Sequence, residues 1–194
     1  ALSIKLMGLN HAVVTSVDRD DLPDYGATHW VKTIQEIRRI NSGVTLEVLI
    51  PDFKGRMDLV DMIIEASPDV ISHNLETVRR LTPSVRSVAT YDTSLAVLRH
   101  IAQSGKMPAK TGMMLGLGET EEEILELMDD ALAAGVSVIT IGQYLQPSRK
   151  NLPVVEYITP EQFEHLRLVG IEKGFRTIES APLVRSSYHA ERHL

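Results

Sequence analysis

Cysteine is absent from all 194 residues. Its absence excludes disulfides, thiol nucleophiles and any zinc or iron–sulfur site built on thiolates from within these residues. Long apolar runs are missing as well. None reaches the roughly 18 residues that a membrane-spanning helix needs, and no membrane association is expected. No basic stretch followed by an apolar one marks a signal peptide. Positive charge is in deficit, with Lys+Arg 20 against Asp+Glu 26 and a net charge of -6. That balance argues against a general nucleic-acid binder, although local basic pockets stay open. The glycine pair at 116 and 118 is not followed by the Lys-Ser/Thr of a phosphate loop. Ser186, Ser187 and His189 lie close together, but nothing marks the oriented base or oxyanion hole that a nucleophilic serine requires.

What is present is the composition of a globular protein, 43% hydrophobic and 24% charged. The length suits one domain over residues 1–194. The most informative stretch is TGMMLGLGETEEE at 111–123. Met113 to Leu115 read as a buried strand, and Gly116 and Gly118 as a tight turn at its end. Thr120 reads as a helix N-cap with Glu123 as its capping-box partner. Ile124, Leu127, Met128 and Ala131 then repeat at helical period. The whole is one β/α unit, with its loop where α/β folds place ligands. The plainer alternative is that both glycines only satisfy turn geometry.

Other strands are expected at 11–17, 44–50, 70–71, 136–141 and 175–179. Helices fall between them, near 27–40, 55–66 and 93–103. A last long helix is capped by Thr159, with Pro160 in its first turn and Gln162 as capping-box partner. Residues 1–9 resemble the tail of a helix, so the chain reads as starting in the middle of an element. Such alternation fits a doubly wound sheet or a barrel. Polar residues follow nearly every strand: Ser16 and Asp18, Asp52, Asn74 and Glu76, Gly118 and Glu119, Gln143. A site assembled from many strand ends favours a barrel. Glu47, inside an apolar strand, is then expected to face a polar interior, because helices cover the outside.

Two residues apart on an extended stretch, Asn74 and Glu76 point the same way. An amide beside a carboxylate suits a ribose diol, and a loop cap is the alternative. Asp18, Asp20 and Asp21 could hold a metal or an amino group, or form a solvated loop of Asx-turns. His29, His100, His165 and His193 sit on helices or the tail and suggest no chemistry. A barrel aldolase would want a lysine inside a strand, and Lys110 is the near candidate.

The segments VVTSVDRDDLPDYGA (13–27), EVLIPDFKGR (47–56), ISHNLETV (71–78), TGMMLGLGET (111–120), TIGQYLQPS (140–148) and SAPLVRSSYHA (180–190) resemble the lipoyl synthases, which are radical S-adenosylmethionine enzymes. The similarity runs in order along essentially the whole chain. RSSYH and SVDRDD are specific to that family, whereas GLGET is shared with relatives such as biotin synthase. The resemblance implies an α/β fold, a partial (β/α)6 radical-SAM-type barrel that here lacks its first strand and carries a C-terminal extension. It also implies two [4Fe-4S] clusters and S-adenosyl-L-methionine as cofactors. Two sulfur atoms would enter at C6 and C8 of an octanoyl-lysine, donated by the auxiliary cluster. The implied partners are an octanoylated lipoyl carrier domain or glycine-cleavage H protein and an electron donor such as flavodoxin or ferredoxin. The compartment implied is the cytoplasm, or the mitochondrion for a eukaryotic source.

Both cysteine motifs of the family would precede Ala1 and are missing, so these residues alone are expected to be inactive. A cysteine-less paralogue that binds a nucleotide or acts as a scaffold is the alternative. The resemblance makes Ser186 a metal ligand, with Arg185 near that cluster. It sets Thr15, Ser16 and Asp18 near the methionine amino group, Asn74 and Glu76 on the ribose, and Lys110 near the methionine carboxylate. Gly116, Gly118 and Glu119 would flank the adenine, with Glu47 and Gln143 completing the expected cofactor-binding set.

Overall fold

The computed structural model describes residues 1–86, 88–188 and 190; His189 and His193 lie outside the described residues. The chain opens on helix α1 (Leu2–Met7), followed by β1 (His11–Thr15), α2 (Ala27–Ile40), β2 (Thr45–Leu49), α3 (Met57–Glu65) and β3 (Val70–Ser72). It continues through α4 (Thr82–Val85), α5 (Tyr91–Gln103), β4 (Ala109–Leu115), α6 (Glu121–Ala133), β5 (Val138–Gln143), α7 (Pro160–Lys173) and β6 (Thr177–Ser180). A short 3-10 turn, Phe53–Gly55, leads into α3.

The strands form one parallel sheet of six in sequential order. Sequential parallel pairing with a helix between successive strands is the winding of a β/α barrel, here left open between β1 and β6. β1 pairs with β2 alone among the described residues, as expected of a partial barrel without a strand before it.

The helix-facing side of the sheet is apolar. Leu46, Val48, Ile71, Ile139 and Ile141 pack there against Ile34, Ile37, Ile63, Leu98, Met128 and Phe163 of the helices, all in one core. Each β-branched strand residue buried in this layer is stiff and suited to the pleat. Local signals set the helix ends. Thr120 and Glu123 form a complete capping box at α6, and Thr159 and Gln162 form another at α7. Gly174 ends α7 in the left-handed conformation.

The inner side of the sheet carries polar side chains and glycines. In register, Ser72 stands beside Lys110, and Gly112 beside Thr140. A Cβ on Gly112 would come within 2.7 Å of Thr140 Oγ1 and 2.9 Å of Asn74 Oδ1. A Cβ on Gly142 would meet the carbonyl of Val184. These two glycines therefore leave room for Asn74 and for the segment after β6. That segment is tied to β5 by Ala181 N–H to Ile141 O (3.2 Å) and by Gln143 N–H to Pro182 O (3.2 Å).

Candidate active site at the strand C-termini

A cavity of about 360 Å³ opens at the carboxyl ends of the first three strands. Its polar lining comes from Ser16 and Asp18 after β1, Asn74 and Glu76 after β3, and Asp20 and Arg86. Glu76 takes a left-handed backbone, φ 68°, which lets its N–H donate to Gly112 O (3.0 Å) while its carbonyl accepts from Met114 N–H (2.8 Å). The bond pair extends β3 onto β4 past the end of the regular strand. Asn74 Nδ2 donates to Glu76 Oε1 at 3.0 Å, so the two side chains act as a unit.

Electrostatically the cavity is acidic, with three carboxylates against one guanidinium. Desolvation raises the Glu76 carboxyl, against the pull of the Asn74 amide and Arg86. Asp18 is also raised, by desolvation first and then by Asp52 and Asp20. A cationic ligand would relieve both.

Behind the lining, a chain of hydrogen bonds fixes Arg86. It donates to Ser94 Oγ (2.6 Å) and to Asn74 O (3.4 Å). Arginine can only donate, so the Ser94 hydroxyl proton is available to His73 Nε2 at 2.9 Å, and His73 Nδ1–H donates to Ile50 O at 2.9 Å. Burial holds His73 neutral, with its pKa lowered to about 4.

A second cavity, about 130 Å³, lies against the inner face of β4 and β5. Asn74 and Glu76 line it from one side, Arg185 and Ser186 from the other, with Met114 and Val184 as apolar wall. Ser186 is half-buried and its hydroxyl makes no hydrogen bond among the described residues. The two cavities share Asn74 and Glu76. The structure thus brings together Ser16, Asp18, Asn74, Glu76, Arg185 and Ser186.

The remaining sequence candidates lie elsewhere. Thr15 lines a groove on the helix side of β1, beside Trp30, whose Nε1 donates to Ser16 Oγ at 3.2 Å. Glu119 spends its carboxylate on the backbone N–H groups of Gly116 and Leu117 and so closes its own turn. A Cβ on Gly116 would collide with Gln143 Nε2 and the Glu156 carbonyl, and Gly118 abuts Val155. Gln143 is buried and straps down the loop at 144–158: its Nε2 donates to the carbonyls of Leu115, Tyr144 and Glu156, and its Oε1 accepts from Ile158 N–H at 2.9 Å. Glu47 does face the interior, but it lines neither cavity. It is fully buried, accepts from Ser72 Oγ (2.6 Å) and pairs with Lys110 Nζ at 2.7 Å.

The model of the Radical SAM superfamily matches residues 1–131. The chain is 68% identical over 194 residues to a lipoyl synthase of Parabacteroides distasonis, covering 100% of this chain and 69% of that protein. A lipoyl synthase of Treponema denticola is 62% identical, with 100% of this chain and 67% of the relative covered. The chain belongs to the lipoyl synthase family. Two solved structures share its fold: methylornithine synthase, with a TM-score of 0.64 at 12% identity over 94% of this chain and 63% of that one, and a domain of a pyruvate-formate lyase-activating enzyme from Bacteroides vulgatus, with a TM-score of 0.61 at 14% identity over 85% and 97%.

Membership implies S-adenosylmethionine and [4Fe-4S] clusters in the full-length enzyme. The first cavity fits the former: the Asn74–Glu76 pair matches a diol, and the acidic lining matches a sulfonium with an α-amino group. The cluster does not fit these residues alone. They include no thiolate, and no group of three His, Cys, Asp or Glu among the described residues is placed to hold a metal. Lys110 does lie inside a strand, as an aldolase would require. However, its ammonium is bound by Glu47 and the Ser186 carbonyl and lines neither cavity.

Arg86 and His73 are not among the site candidates of the sequence, although His73 directly follows a strand. Arg86 stands out in the sequence only as one of three arginines at 79–86. Arg79 and Arg80 of that set serve ion pairs with Asp92 and Glu123 instead.

Proposed function

We propose that the chain forms the barrel body of a lipoyl synthase that inserts two sulfur atoms at C6 and C8 of a protein-bound octanoyl-lysine. The observation that carries this reading is the position of Asn74 and Glu76, which line both the acidic cavity and the cavity of Ser186. In this reading Asn74 and Glu76 hold the ribose of S-adenosylmethionine. Asp18 and Ser16 face its positively charged methionine end, and Arg86 offers the guanidinium for its carboxylate. The octanoyl chain then enters beside Met114 and Val184, next to Arg185 and Ser186. Walls this close restrict a reactive carbon centre to its target C–H bond.

The clusters supply reducing electrons and sulfur. From this chain only Ser186 is offered as an auxiliary-cluster ligand, a hard oxygen donor that releases iron more readily than a thiolate. The thiolates come from outside these residues, which by themselves are inactive. The proposed partners are an octanoylated carrier domain or H protein and a flavodoxin or ferredoxin, in the cytoplasm or, in a eukaryote, the mitochondrion.

The test uses reconstituted full-length enzyme, with lipoyl product and 5'-deoxyadenosine quantified in the same reaction. Ser186→Ala is expected to abolish sulfur insertion while 5'-deoxyadenosine still forms, and Ser187→Ala to have the milder effect. Normal lipoyl formation by the Ser186 variant would remove this serine from the reaction. A full-length protein that binds the nucleoside but forms neither product would support the nucleotide-binding scaffold instead.

A further inference from the structure

A charged pair with almost no solvent exposure lies inside the barrel, lining neither cavity. Glu47 on β2 and Lys110 on β4 are 63 residues apart in sequence, yet their side chains meet at 2.7 Å with almost no solvent exposure. Burying such a pair in an apolar core is no net gain unless further hydrogen bonds satisfy it. Ser72 Oγ supplies one to Glu47, and the Ser186 carbonyl supplies one to Lys110 Nζ at 2.5 Å. That last bond is the only one among those described that runs from the barrel interior to the backbone of the Arg185–Ser186 turn.

The geometry points to a buried latch: Glu47 holds the Lys110 ammonium, and Lys110 grips the Ser186 carbonyl so that the Ser186 hydroxyl is presented to the smaller cavity. Lys110 and Glu47 are thus positioning residues that act through Ser186. The sequence offers reach and anchorage for this. Lysine carries three donors on a flexible four-carbon stem, Lys110 stands on the inner face two residues before Gly112, and Gly142 leaves the space that the 181–188 segment occupies. Val184 N–H to Ala181 O (3.0 Å) and Tyr188 N–H to Arg185 O (2.8 Å) are the segment's own turns. They hold its local shape, whereas Lys110 fixes where that shape sits.

The importance of the hydroxyl's placement rests on the proposed role of Ser186, but the latch itself can be tested without clusters. Amide exchange is measured by mass spectrometry on the full-length apoprotein and on its Glu47→Gln/Lys110→Met variant, which removes both charges together. Exchange at Val184 and Tyr188 is expected to run about tenfold faster in the variant, the effect of losing a charge-assisted hydrogen bond, with β5 amides unchanged. Unchanged exchange at 184 and 188 would overturn the latch. In the reconstituted enzyme the ratio of 5'-deoxyadenosine to lipoyl product should rise in the same variant. A loosened segment with an unaltered ratio would uphold the grip on the carbonyl and overturn its part in presenting the hydroxyl. If the double variant does not fold, acetylation of Lys110 in the unaltered protein gives a second test. Acetylation is expected to keep pace with exchange at Val184 and Tyr188, and acetylation that outruns that exchange would overturn the latch.

Discussion

The carbonyl of Val184 rests on Gly142, in the space where any other residue would carry its Cβ. The segment after β6 therefore lies directly on the inner face of β5, and its position depends on the absence of one methyl group. Gly142→Ala is expected to destabilise the full-length protein by about 1–3 kcal/mol, the usual cost of overpacking a tight contact. A melting temperature lowered by several degrees in calorimetry would agree. An unchanged melting curve would mean that the segment yields freely.

The Asn74–Glu76 pair makes a separate prediction about ligand affinity. Asn74→Ala removes the amide and leaves the Glu76 carboxyl in a half-buried place without its donor. S-adenosylmethionine affinity of the full-length protein, followed by titration calorimetry, should fall by about tenfold or more, as expected for a lost polar contact to a ligand hydroxyl. Affinity within error of the unaltered protein would move the nucleoside away from this pair.

His73 predicts a pH dependence. Its pKa falls from 6.5 to about 4 on folding, because burial excludes the charged ring. The unfolded chain therefore binds a proton that the native state refuses. The contribution to stability is intact above pH 6.5 and is lost as the pH falls toward about 4, by about 3 kcal/mol at most. His73→Gln should flatten that part of the stability–pH curve when urea midpoints are compared at pH 7 and pH 4.5. Parallel curves would place the titration elsewhere.

Gln143 predicts a local effect. Three of its four hydrogen bonds hold the loop at 144–158, and the fourth goes to Leu115 of β4. Gln143→Ala should make that loop susceptible to limited proteolysis near Arg149 and Lys150 while far-UV dichroism is preserved. Cleavage there at the unaltered rate would mean that the loop is held by its other ties, among them the Tyr144 hydroxyl to Leu152 O at 2.9 Å and Val155 N–H to Gly116 O at 2.8 Å.

Features governed by near neighbours were legible in the sequence. The capping boxes at Thr120 and Thr159 depend on residues three apart, and both formed as read. Glu47 was legible as an inward residue, because a carboxylate on the helix side would have been buried in hydrocarbon. The sequence pattern marks β4 only from Met113, yet the strand begins at Ala109: Lys110, Thr111 and Gly112 look unlike a strand because each meets a partner on another element. Similarly, a strand was expected to run to Val17 but ends at Thr15, where the chain turns toward the cavity and Val17 becomes exposed. Gln143 and Glu119 do lie at strand ends, but side-chain direction there is set by turns and loops whose course no local pattern encodes.

The sequential strand order bears on how the protein is made. Each strand of the sheet lies beside its predecessor in the chain, so a barrel emerging from the ribosome can add one β/α unit at a time without waiting for distant sequence. The Lys110 ammonium is the exception, since its backbone acceptor lies 76 residues downstream. Until that residue arrives, the nascent barrel holds a buried charge pair one ligand short. Synthesis of the Arg185–Ser186 turn supplies that carbonyl, so the interior of an early strand is completed by a segment made well after it.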